Sequence, residues 1–160
     1  MRATIVYWTK TGHTERAARI IAEALTTAGA ETALVNLRRD KPPDPADCDL
    51  LVVGSPCHAG SMKFMGTGIV IPVQRFLRGL PTNALAGKRA AAFAVHAAYG
   101  GDRTIASLER LLRDAGAQVP ETGPVVKAGA PLSIVVGPMA SEADCEALRR
   151  FGRALAITPA

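Results

Sequence analysis

The chain has 160 residues, 48% hydrophobic and 21% charged, with 19 Lys and Arg against 14 Asp and Glu for a formal net charge of +5. This composition excludes a disordered or collagen-like chain, and the length suits one domain, residues 1–160, that buries about two thirds of the surface its unfolded form exposes. Cys48, Cys57 and Cys145 are far apart and form no CxxC pair, which argues against a disulfide framework or a zinc site, and no apolar run approaches the length of a membrane span.

The opening "MRATIVYW" is too short for a signal-peptide core, so a cytoplasmic protein is expected. Ala3 to Trp8 reads as a first strand, with Trp8 a core residue at its end. Thr14 to Ala28 carries Ala17, Ile20, Ile21, Ala24 and Leu25 on one helical stripe, and Gly29 is placed to cap it. "ETALVNL" gives a second strand. After the proline-rich turn "KPPDPADC", Asp49 to Gly54 is a short continuous apolar run, the pattern of a strand buried on both faces of a parallel sheet. A loop and a helix near Val70 to Arg78 follow. Arg89 to His96 reads as a fourth strand. Arg103 to Ala115 reads as a helix with Ile105, Leu108, Leu111, Leu112 and Ala115 facing inward, stopped at Gly116. Residues 118–138 are less regular: a fifth strand split by an insertion, or a strand plus an added hairpin. Ser141 opens a final helix, with Asp144 as its capping-box partner and Ala147, Leu148, Phe151 and Leu155 as its core face. Basic residues are scattered over these helices ("RLLRDAG", "LRRFGR") without a run, which reads as a solvated surface, so no nucleic-acid partner is expected.

Alternating strands and helices with right-handed crossovers make an α/β protein, a parallel sheet between two helical layers. Ligands of such sheets bind outside the carboxyl ends of the strands. The loops after the first, third and fourth strands are therefore the candidates. The first, "TKTGHT", comprises Thr9, Lys10, Thr11, Gly12, His13 and Thr14. Backbone N–H groups at a helix start, the positive end of its dipole and threonine hydroxyls together suit a phosphate dianion. It is neither G-x-G-x-x-G nor G-x-x-x-x-G-K-[ST], which disfavours a dinucleotide or nucleoside triphosphate site. A Thr/Gly cap without a ligand is the alternative.

The T-x-T-G-x-T pattern after a first strand resembles the FMN phosphate loop of flavodoxins. "VVGSPCHAG", Val52 to Gly60, is similar to their second flavin loop, and "FAVHAAYGGD", Phe93 to Asp102, to the third as it stands in the flavodoxin-like domains of flavodiiron proteins. The resemblance spans nearly the whole chain. It implies a doubly wound, three-layer fold with a five-stranded parallel sheet in the order 2-1-3-4-5, and FMN as cofactor. It assigns cofactor contacts to the six residues of the first loop, to Ser55, Pro56, Cys57, His58 and Gly60, and to His96, Ala97, Ala98, Tyr99, Gly100, Gly101 and Asp102.

A flavin ring needs flat faces on both sides and backbone groups along its edge. Gly54, Gly60, Gly100 and Gly101 are read as letting main chain approach that closely, and Tyr99 as the stacking residue, with a solvent-facing turn tyrosine as the alternative. Where many flavodoxins carry a tryptophan, the second loop offers Cys57, His58 and Met62. His58 packs on the flavin or faces water, and His96 lies beside the flavin edge or is a satisfied core histidine. Met62, Phe64 and Met65 read as an apolar flap with Lys63 beside it, or as core for the next helix. The function implied is electron transfer, cycling FMN between oxidised, semiquinone and hydroquinone forms, with an FMN-dependent NAD(P)H:quinone oxidoreductase as alternative. Because the chain is basic, its redox partner proteins are expected to be acidic.

Overall fold

Uninterrupted apolar runs set the centre of the molecule. A computed structural model describes residues 1–57, 68–97, 100–128 and 141–157. Five strands, β1 (Arg2–Tyr7), β2 (Glu31–Asn36), β3 (Leu50–Pro56), β4 (Arg89–His96) and β5 (Val125–Lys127), form one parallel sheet in the order β2-β1-β3-β4-β5. The central β1, β3 and β4 are almost entirely buried, whereas β2, an edge strand, alternates between exposed and half-buried positions.

Side chains of successive strand residues point to opposite faces, and this divides the core in two. Ile5, Tyr7, Leu50, Val52, Ala91, Phe93 and Val95 pack under the helices α1 (His13–Thr27) and α4 (Glu142–Ile157). Val6, Leu51, Val53, Ala90, Ala92 and Ala94 pack under α2 (Ile71–Arg78) and α3 (Gly101–Asp114). Trp8 is half-buried against this second cluster, in keeping with the core role expected of it.

Glycines punctuate the helices. Gly29 and Gly116 adopt left-handed backbone just past α1 and α3, as expected of terminators. Gly12 and Gly100, with φ of 90° and 89°, stand at the N-caps of the same helices. α1 starts one residue and α3 two residues before the positions expected from sequence, because a glycine cap carries no Ser or Asp signature. At α4 the capping box forms as expected: the Ser141 N–H donates to Asp144 Oδ2 (3.2 Å) and the Asp144 N–H to Ser141 Oγ (3.2 Å).

The irregular segment resolves in part into β5, only three residues long, preceded by an isolated parallel bridge between Gln118 and Arg89. Gly123 admits the chain at the β4 edge, since a Cβ there would overlap the Ala92 carbonyl oxygen. Its N–H donates to Oε1 of the buried Glu109 (3.2 Å), whose other oxygen meets Arg113 at 3.3 Å. The "LSIVVG" stretch lies outside the described residues.

Candidate functional site

The loops after β1, β3 and β4 leave the same edge of the sheet from neighbouring strands. In the first, Thr9 is buried and its Oγ1 accepts a hydrogen bond from the Gly12 N–H at 2.9 Å. That bond fixes the turn. Thr14 is buried in the first turn of α1, His13 is half-buried, and Lys10 and Thr11 are exposed. The N–H groups of His13, Thr14 and Glu15 head the helix with no intrahelical acceptor, and the helix dipole places positive potential there. A Cβ on Gly12 would meet nothing within 4 Å. Glycine is therefore required by the left-handed backbone, and the space before the helix is open.

In the second loop Ser55 is wholly buried: its hydroxyl donates to the Pro56 carbonyl (2.9 Å) and accepts from the Val70 N–H (3.2 Å). It thereby ties the start of α2 to the end of β3. Pro56 and Cys57 are half-buried; the Cys57 N–H donates to the Val95 carbonyl (2.7 Å), and Cys57 forms an antiparallel bridge with Ile69. Of the other second-loop candidates, His58 and Gly60 lie outside the described residues, as do Met62, Lys63, Phe64 and Met65.

In the third loop the His96 carbonyl accepts from the Ala128 N–H (2.8 Å), while its Nδ1 is buried without a hydrogen-bond partner among the described residues. Ala97 is exposed, Gly101 is buried, and Asp102 is exposed in the first turn of α3. Ala98 and Tyr99 lie outside the described residues. The second and third loops touch: a Cβ on Gly100 would sit 2.8 Å from Cys57 Sγ. Pro56 pairs with Val95, so Cys57, one residue on, stands opposite His96. A Cβ on Gly101 would overlap Val125 and lie 3.3 Å from His96 Cδ2. The structure thus brings Cys57, His96, Gly100 and Gly101 together, beside the separate cradle of Thr9 to Thr14.

Gly54 corrects one expectation. A Cβ there would fall inside the ring of Phe93, its register partner on β4, so its missing side chain serves core packing. A different omission concerns the loop after β2, which the sequence reading left out of the site. The Asn36 side chain accepts from the Arg38 N–H (3.0 Å), Asp40 accepts from the Asn36 N–H (2.8 Å), and the Arg38 guanidinium donates to the Lys10 carbonyl (3.5 Å). The "NLRRDK" string carried the signal, as polar turn chemistry closely followed by cations.

Nearby, Tyr7 is buried below the first loop, and that burial, chiefly, pushes its phenol above the ordinary range. At the opposite end of the sheet, burial raises the Cys48 thiol in the same way. Among the described residues no group of three His, Cys, Asp or Glu is placed to hold a metal ion, and no helix is long and apolar enough to cross a membrane.

The described residues suit a phosphorylated ligand. An open cradle at a helix N-terminus matches a phosphate, and the buried imidazole Nδ1 of His96 has no hydrogen-bond partner among the described residues. Comparison with known proteins points the same way. The flavodoxin family model matches residues 5–146. A flavodoxin of Aquifex aeolicus (strain VF5) is 30% identical over 161 aligned residues, covering 97% of this chain and 85% of that one. Among solved structures, oxidised flavodoxin 1 from Bacillus cereus superposes with a TM-score of 0.77 at 18% identity, covering 99% of this chain and all (100%) of the other. The flavodiiron protein from Giardia intestinalis matches 97% of this chain over 35% of its own, with a TM-score of 0.71 and 19% identity.

Proposed function

The chain belongs to the flavodoxin family, FMN-binding proteins that transfer electrons to redox partner proteins, and on that premise we propose that it holds FMN noncovalently across the three loops and acts as an electron carrier with acidic partners. The observation that carries the reading is the convergence of these loops at the carboxyl ends of adjacent strands, headed by the open Gly12 cradle. FMN, when bound, supplies one- and two-electron redox chemistry at its ring.

The chain's own task is to bind and tune. The N–H groups of the first turn of α1 and the hydroxyls of Thr11 and Thr14 receive the phosphate, with Thr9 holding the turn and Lys10 and His13 flanking it. Pro56, Cys57, His58 and Gly60 of the second loop and His96, Ala97, Ala98, Tyr99, Gly100, Gly101 and Asp102 of the third would hold the ring, with the buried Ser55 fixing the second loop. His96 Nδ1 gains a hydrogen-bond partner at the ring edge. Electron transfer of this kind needs no general acid, base or nucleophile from the protein.

Titration of the purified chain with FMN and with riboflavin tests the proposal. Flavin fluorescence is expected to be quenched stoichiometrically by FMN binding, with riboflavin bound at least tenfold more weakly, because it lacks the phosphate. Gly12→Ala is expected to weaken FMN more than riboflavin. A chain that quenches neither flavin would end the proposal, and rapid turnover of NAD(P)H with a quinone and no added reductase would make it an oxidoreductase instead.

A further inference from the structure

The net positive charge is not evenly distributed once internal ion pairs are set aside. On α4, Arg149 meets Glu142 at 2.7 Å and Glu146 at 3.3 Å, and Arg153 meets Glu146 at 2.6 Å. That helix largely neutralises itself. At the amino-terminal end of the sheet the exposed Glu31, Asp44, Asp47 and Asp49 lie among Arg2, the N-terminal amine and Arg89, and Lys88 is turned inward onto the carbonyls of Ala46 (3.3 Å) and Cys48 (2.7 Å), so that end is mixed in charge.

The carboxyl end beside the phosphate cradle is different. Lys10, Arg38, Arg39 and Lys41 are all exposed there, drawn from the first loop and the loop after β2. The two loops are joined by the Arg38 bond to the Lys10 carbonyl. Of the neighbouring acids, Glu15 is shared by Arg19 (2.8 Å) and Arg39 (3.5 Å), while the exposed Asp40, which accepts from the Asn36 N–H, leaves one negative charge among the four cations. Among the described residues Lys10, Arg38 and Lys41 meet no carboxylate. The carboxyl end of the sheet beside the cradle thus carries a cluster of exposed cations, three of them without a carboxylate partner among the described residues.

We infer that Lys10, Arg38, Arg39 and Lys41 form the docking rim for a redox protein with an acidic, carboxylate-rich surface. This rests on the carrier reading above and adds where the partner sits. Opposite charge accelerates encounter between proteins by about 10- to 1000-fold at low salt, and a local cluster of one sign also favours the orientation that brings it against the partner. An acidic partner approaching this molecule is turned toward the end where electrons leave or enter.

The probe is an acidic plant-type [2Fe–2S] ferredoxin, mixed with the FMN-loaded chain and linked by a carbodiimide, which joins lysine amines to carboxylates in direct contact. Cross-links are expected at Lys41 and Lys10. Links of equal yield at Lys88 or the N-terminal amine, or none at all, overturn the proposal. Linking does not depend on flavin. Should the absorption spectrum show that no FMN is held, the carrier reading fails while the cross-link map still decides the rim.

The same pair gives a kinetic readout: one electron leaves the reduced [2Fe–2S] cluster, which is oxidised, and enters the FMN of the oxidised chain, which is reduced. The second-order rate is expected to fall as salt is added. Arg38→Glu/Lys41→Glu is expected to slow it at least tenfold at low salt and flatten its salt dependence. Arg150→Glu on α4 is expected to leave it within twofold. Equal losses in both variants, measured on FMN-saturated protein, would show that net charge alone matters and that the rim does not.

Discussion

At the residue scale, two glycines of the candidate region are there for opposite reasons. Gly12 is held at φ 90° in open space, so its role is conformational, whereas Gly54 has its Cβ position filled by the Phe93 ring. Gly54→Ala is therefore expected to cost about 2–3 kcal/mol of stability through overpacking, measured by urea unfolding, and Gly54→Ala/Phe93→Leu to recover part of it. The sequence reading credited Gly54 to a ligand because a cross-strand partner has no local signature; it becomes visible only with the β3–β4 register. Gly12 was legible, since glycine between threonines at a helix start is a local signal. Burial also sets an alkaline limit. Tyr7 and Cys48 are both raised above their ordinary values of 10.0 and 9.0. The folded state thus keeps these protons at a pH where the unfolded chain releases them. Their contribution is complete below the unfolded values and is lost as pH rises through the folded ones. The urea midpoint is expected to drop as pH rises above about 9, and Tyr7→Phe/Cys48→Ala to make that drop shallower.

At the element scale, α1 and α4 meet through a contact that inverts an ordinary propensity rule. Alanine normally stabilises a helix interior over glycine by about 1 kcal/mol. A Cβ on Gly152 of α4, however, would stand 2.7 Å from Ala24 Cβ and 2.9 Å from the Ile21 carbonyl oxygen of α1. Gly152→Ala is expected to lower the thermal midpoint, and a gain would show that the helices separate freely. Helix existence was plain from apolar stripes and terminators; Ile20, Leu111 and Ala147 are half-buried at the margins of those stripes. β5 was the least legible element. Three residues are too few to carry a period, and what places them is tertiary: the free β4 edge, the clearance at Gly123 and the buried carboxylate of Glu109.

At the scale of the whole molecule, the order β2-β1-β3-β4-β5 and the three layers were legible because the hydrophobic runs and the order of the loop motifs agreed. The basic cluster beside the cradle was not, since it depends on which loops meet in space and which cations are internally paired. A ligand that binds only the folded state stabilises it: FMN at 100 times its dissociation constant adds about 2.7 kcal/mol, or roughly 5–10 °C in thermal midpoint for a chain of this size. Riboflavin at the same concentration is expected to give a smaller rise, and equal rises would mean that the phosphate cradle contributes nothing. Finally, the Cys57–Ile69 bridge and the Ser55–Val70 bond fasten both ends of residues 58–67 to the sheet. The chain on either side of that segment is therefore held together by the framework itself. The two fastenings act as a clasp: whatever sequence runs between them begins and ends at positions set by the scaffold.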